Sequence, residues 1–129
     1  MAISEDTARL LTSEPLMAHL ATCVDGRPHV APVWYSFDAA EGVVEVLTAG
    51  RKLSNIRQNP RVALSIQKDH DGHAQWRVTL LGTAMVVEDD DAKRDATRRI
   101  NSKYGAGEAA WPENTLVRIR VGSASMSEY

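Results

Sequence analysis

The sequence predicts a mainly β chain: an antiparallel barrel of about six strands with short helices. Runs rich in Val, Ile, Thr and aromatic residues alternate in polarity and are separated by turn signals such as Asp25-Gly26. Helical spacing is confined to the N-terminus, a short insertion after the third strand and one longer stretch before the last. No repeat, low-complexity tract or linker divides the chain, so residues 1–129 read as one domain.

Ser4, ahead of Glu5 and Asp6, opens a short amphipathic helix whose apolar side holds Ala8, Leu10 and Leu11 and which Pro15 ends. Residues 17–24 (MAHLATCV) read as the first strand, closed by Asp25-Gly26. Residues 29–38 (HVAPVWYSFD) read as the second. Pro32 has no N–H to give a ladder, so this strand lies at an edge or carries a bulge. Residues 39–42 turn, and residues 43–48 form the third strand. Ala49-Gly50 breaks it, residues 52–59 fit about two helical turns, and Pro60 stops them.

Residues 61–67 alternate as a strand, residues 69–72 form a polar loop, and residues 75–88 run as one long strand with a bulge or bend at Gly82. Acid at residues 88–91 suits a helix start. Ala92, Ala96 and Ile100 then share one helical face, with Arg94, Arg98 and Arg99 largely elsewhere. Residues 105–114 form a loop and residues 115–125 the last strand.

A net charge of -2 argues against general nucleic-acid binding, which needs a basic surplus, but leaves room for one local anion site. Cys23 is the only cysteine, so neither an intrachain disulfide nor a thiolate metal cluster is expected. The first residues lack the basic head and apolar run of a signal peptide, and no apolar run nears the ~20 residues of a membrane span. A cytoplasmic protein without a membrane partner is expected. A domain this small exposes much surface, which favours association with a second copy.

The segment that carries chemistry is Thr48-Ala49-Gly50-Arg51-Lys52-Leu53-Ser54-Asn55-Ile56. Helix starts favour acids because they carry a partial positive charge, yet here two cations stand at that end. An anion would reverse the sign of the interaction: a phosphate accepts the free N–H groups and pairs with both side chains. Gly50 lets the backbone approach such a group, and the Thr48 hydroxyl can donate to it. By charge placement alone, an ordinary solvated turn accounts for Arg51 and Lys52 equally well.

The run VEVLTAGRKLSNIRQNPRVALSI resembles the phosphate-binding segment of the FMN-binding split-barrel superfamily, typified by pyridoxamine 5'-phosphate oxidase. There a strand ends in Thr, an Arg-Lys pair opens a short helix, and N-P-R-V begins the next strand. GRPHVAPVWYSFD resembles the strand that runs along the isoalloxazine ring, and WRVTLLGTAMVVED the long strand before the family's helix. The likeness spans residues 15–122.

The resemblance implies a split-barrel homodimer with FMN between the subunits. Thr48, Arg51 and Lys52 would hold the phosphate, Asn55 would assist, and His29, Pro32, Val33 and Trp34 would lie near the flavin. Arg77 stands where the oxidase usually has a glutamine that contacts FMN from the other subunit. The oxidase's terminal substrate-gripping block, with its Trp and Arg-Leu-x-Pro run, has no counterpart in SASMSEY, so pyridoxamine phosphate oxidation is not expected. The outline is closer to the compact flavin or deazaflavin oxidoreductases. The expectation is an FMN-dependent oxidoreductase acting on a small molecule. A deazaflavin-dependent reductase of the same fold and a non-catalytic flavin-binding or storage protein are the alternatives.

No side chain stands out as a general acid or base, so no catalytic residue is named. His70 and His73 flank Asp71-Gly72 without the spacing of a calcium loop and read as solvated. Cys23 reads as a small buried hydrophobe. Trp76 fits core or interface packing, whereas Trp111, in a loop before Pro112, is harder to absorb into a core and is a candidate cover for the ring or substrate pocket.

Overall fold

The computed structural model describes residues 3–129. Its elements run α1 (Glu5–Leu11), β1 (Ala18–Val24), β2 (Arg27–Val33), β3 (Tyr35–Asp38), β4 (Val43–Thr48), α2 (Gly50–Gln58), β5 (Arg61–His70), β6 (His73–Val87), α3 (Asp90–Lys103) and β7 (Thr115–Glu128). All strands join one antiparallel seven-stranded sheet in the order β2-β1-β5-β6-β7-β4-β3.

The two outer strands, β2 and β3, are consecutive in the chain and joined through Trp34 alone. The ends of the sheet must therefore meet, and the sheet curls into a barrel closed by a covalent link where ladder bonds are missing. This is the correction to the six-strand expectation. Residues 29–38 do not make one strand, because the chain leaves one edge after Val33 and enters the opposite edge at Tyr35. Alternation alone carries no mark of that crossing. Pro32 lies on the edge strand β2, opposite His19, in a register that runs unbroken from Val33 to Arg27.

The barrel is filled by alternate strand residues, among them Leu20, Val46, Leu64, Val78, Leu80 and Ile119, each at most 1% exposed. Complete burial of such a side chain contributes roughly 1.5–3 kcal/mol. Tyr35 is wholly buried as well, and its hydroxyl donates to the Leu11 carbonyl at 2.7 Å, fastening α1 against the seam. Ser4 caps α1 by accepting the Thr7 N–H, but the helix ends at Leu11, ahead of Pro15, where the Thr12 N–H still reaches back to Ala8.

At the tip of β5 and β6 the expected loop shrinks to Asp71-Gly72, both at positive φ, and His70 faces His73 across the exposed hairpin. The expected irregularity falls beside Gly82, where the β6–β7 register shifts between Leu81 and Gly82, but the extra residue is Gly122 on β7, for Leu81 pairs with Ser123 and Gly82 with Val121. Trp76 is in the core, whereas Cys23 is half-buried rather than buried, since the expected alternation fades towards the end of β1.

Candidate functional site

The three helix starts among the described residues allow a direct comparison. In α1 and α3 a side chain caps the helix (Ser4 and Asp89) and two acids occupy the first turn. In α2 the N-cap residue, Ala49, has no side-chain hydrogen bond to give, and no acid follows. Helix α2 begins at Gly50, two residues ahead of the expected start, and Gly50 turns the chain into it at φ +68, a conformation other residues rarely take. Space is open where a Gly50 Cβ would stand. Arg51 is exposed and Lys52 half-buried, and among the described residues neither is ion-paired.

Immediately before this start, Thr48 ends β4 opposite Thr115. Thr48 is 2% exposed, and its Oγ1 is buried with no hydrogen-bond partner. A buried hydroxyl left unpaired costs about 1–3 kcal/mol. The uncapped helix start, Lys52 and the orphaned hydroxyl lie together, and one anionic group would satisfy all three.

Helix α2 is fixed in place by two asparagines. Asn55 is buried and donates from Nδ2 to Thr22 Oγ1 at 3.0 Å, and Asn59 donates to the Cys23 carbonyl at 2.8 Å. The Asn55 amide N–H thus ties α2 to β1.

A cavity of about 340 Å³ opens beside Thr48 and Lys52. The seam residues Pro32, Val33 and Trp34 line it, together with Trp111 and Asn101. This volume falls within the ~300–1,000 Å³ of small-molecule sites. Trp34 is held flat by Tyr104, with ring centroids 4.7 Å apart and planes 2° from parallel. Tyr104 is pinned in turn, donating from its hydroxyl to the Leu16 carbonyl at 2.6 Å and accepting the Tyr35 N–H at 3.3 Å. Burial pushes the Tyr104 phenol pKa up. Lys103 Nζ lies 3.6 Å from the centre of the Tyr35 ring and donates to the Tyr35 carbonyl; burial lowers its pKa to about 8.

The residues expected at the site therefore divide. Pro32, Val33, Trp34, Thr48 and Lys52 share the cavity, and Trp111 joins them. His29, Arg51 and Asn55 line a separate polar groove on the other side of α2, where His29 Nδ1 is also buried without a partner. Arg77 is exposed on β6 between Gln67 and Ser127, apart from both. Sequence reasoning missed Asn101, buried in the last turn of α3. An asparagine is a poor helix former there, which was the available signal.

The family model described as pyridoxamine 5'-phosphate oxidase matches residues 4–126. The chain belongs to the pyridoxamine 5'-phosphate oxidase family. A relative in this family, the "F420H(2)-dependent biliverdin reductase" of Mycobacterium tuberculosis, is 35% identical over 126 residues, covering 94% of this chain and 89% of the relative. Among solved structures, an FAD-binding protein from Mesorhizobium loti aligns with a TM-score of 0.76 at 23% identity, over 96% of this chain and 94% of that one. An F420 reductase aligns with a TM-score of 0.72 at 23% identity, over 91% and 94%. At these identities the solved structures establish the split-barrel fold. Among the described residues no helix is long and apolar enough to cross a membrane, and no group of three or more His, Cys, Asp or Glu side chains is placed to hold a metal ion.

Proposed function

We propose that this chain is an oxidoreductase that uses a phosphate-bearing flavin-type coenzyme, the deazaflavin F420 ahead of FMN, to reduce a small conjugated molecule. The observation that carries the coenzyme assignment is the buried, unpartnered Thr48 hydroxyl beside the uncapped, cationic start of α2. The preference for the deazaflavin rests on the relative at 35% identity, whose name couples F420H2 to biliverdin reduction. That relative also places biliverdin first among the acceptors to try.

In this reading the Thr48 hydroxyl, the first N–H groups of α2 and Lys52 hold the phosphate, while Arg51 adds charge from the neighbouring groove. The seam backbone at Pro32 and Val33 and the Trp34 side chain orient the ring system. The reduced coenzyme supplies the hydride. Among the described residues Lys52 is the only titratable side chain lining the cavity, so the protein's own work there is binding, orientation and exclusion of water.

We also assign the working form to a two-fold homodimer. Leu81 and Met85 are 54% and 61% exposed on β6 and share its outward side with Arg77, so a second copy covering them would receive Arg77.

Titration of the purified protein with F420, FMN and riboflavin tests the cradle. Thr48→Val should weaken F420 or FMN about tenfold or more, as expected for loss of a hydrogen bond to a charged group. Riboflavin, which has no phosphate, should be unaffected. Ligand-free Thr48→Val should melt no lower than wild type, because it buries a methyl in place of an unpaired hydroxyl. Reduction of biliverdin by F420H2, with none by FMN and NADPH, is the expected turnover result. The reverse pattern would transfer the assignment to FMN.

A further inference from the structure

We infer that Trp111 is a ligand-covering wall of the cavity, stacking on the planar ring system of the molecule held there, and that Asn101 is the residue that positions it. This inference rests on the proposed coenzyme site and adds two residues that the phosphate logic does not reach.

Three features of Trp111 have no folding explanation. It is 55% exposed and stands outside the hydrophobic core. Its φ is +62, a left-handed conformation that is rare and costly for a bulky side chain. It nevertheless lines the same cavity as Trp34, Thr48 and Lys52.

The loop around it is held firmly enough to sustain the strain. Asn101 is 1% exposed and directs Nδ2 at the carbonyls of Gly107 (2.9 Å), Ala110 (3.1 Å) and Glu108 (3.4 Å). Its own carbonyl accepts the Ala106 N–H at 2.8 Å. Beyond the tryptophan, Lys93 donates to the Pro112 carbonyl at 2.7 Å, and the Asn114 N–H closes back on the Trp111 carbonyl at 3.2 Å. A loop tied on both sides of one strained, exposed indole is built to present that indole. Trp34, which lines the same cavity, is equally fixed, since it is stacked on Tyr104. Two rigid aromatic faces bordering one cavity select a flat, conjugated ligand, which loses little entropy on docking and gains from ring stacking.

The test uses two ligand pairs that share a ring and differ in phosphate: F420 with its phosphate-free ring alcohol, and FMN with riboflavin. Trp111→Ala should weaken both members of a pair alike, by about tenfold, as the loss of one stacking partner does. Trp111→Phe should restore most of that affinity. Bound ligand should quench the part of the tryptophan emission that Trp111→Phe removes. Asn101→Ala should lower affinity in the same parallel way and abolish that quenching contribution.

Trp111 is exposed, so Trp111→Ala folds irrespective of how Asn101→Ala behaves, and it decides the question alone. Unchanged affinity of Trp111→Ala for both members, or no quenching at Trp111, overturns the inference and leaves the phosphate site standing. Affinity lost together with a shift from dimer to monomer also overturns it, because the indole would then be covered by the second copy. If Thr48→Val fails to separate phosphate-bearing from phosphate-free ligands while Trp111→Ala weakens both, the phosphate reading falls and the wall survives. Binding of none of the four overturns both.

Discussion

Lys103 meets opposing demands. Burial disfavours its charge, yet Nζ sits on the face of the Tyr35 ring and hydrogen-bonds the Tyr35 carbonyl, contacts that favour it. Burial prevails, and the pKa falls from 10.5 to about 8. Between these values the unfolded chain holds the proton that the folded chain has released, so stability rises with pH across that window. Tyr35 and Tyr104, the titratable groups against it, shift the other way. Burial raises their phenol pKa values above 10.0, so above that pH the unfolded chain loses their protons first and stability falls. Denaturant midpoints should therefore climb from about pH 8 and turn over near 10, and Lys103→Met should lack the climb. Glu45, a buried side chain on β4, pairs with Arg99 at 2.6 Å and Arg118 at 3.5 Å, contacts that brace α3 and β7 against β4.

Elements are held in place by a few non-interchangeable contacts. Helix α2 is short and polar, and its position depends on Ile56 in the core and on Asn55 bonding to Thr22. The long strands β6 and β7 pass each other only because Gly82 has no side chain. A Cβ there would stand 2.5 Å from the Arg120 carbonyl oxygen and 2.9 Å from Ile119 Cγ2. The first neighbour is backbone and cannot rotate away, so Gly82→Ala must displace β7. A loss of about 1–3 kcal/mol is expected, as for other overpacked sites, read from the urea midpoint. No residue of β6 or β7 lines the cavity beside Thr48 and Lys52, so ligand affinity should change far less than stability.

For the whole molecule, the barrel is closed at Trp34 by the chain itself, and that closure brings the seam strand beside the end of β4 and the start of α2. The outward side of β6, with Leu81 and Met85, is the surface assigned above to a second copy. Sedimentation should give a dimer. A charge at this surface, as in Leu81→Lys, should shift it to monomer, since an unpaired charge buried in an interface costs several kcal/mol. A wild-type chain that sediments as a monomer while binding coenzyme in full would end the dimer assignment.

Sequence by itself determined the mainly β class, the placement of most strands and helices, and the cationic helix start after Thr48 on which the proposed phosphate site rests. These features are written locally, in alternation, turn pairs and a cationic helix start where acids belong. Tertiary structure decided the rest. It split residues 29–38 into two opposite edges, because a one-residue crossing between edges leaves the alternation of side chains intact. It sent Lys52 into the cavity and Arg51 into another groove, because adjacent residues on a helix point about 100° apart. It also joined Asn101 and Trp111 to the site. Their link is a set of side-chain-to-carbonyl hydrogen bonds within a loop, and carbonyls carry no sequence identity by which such bonds can be read in advance.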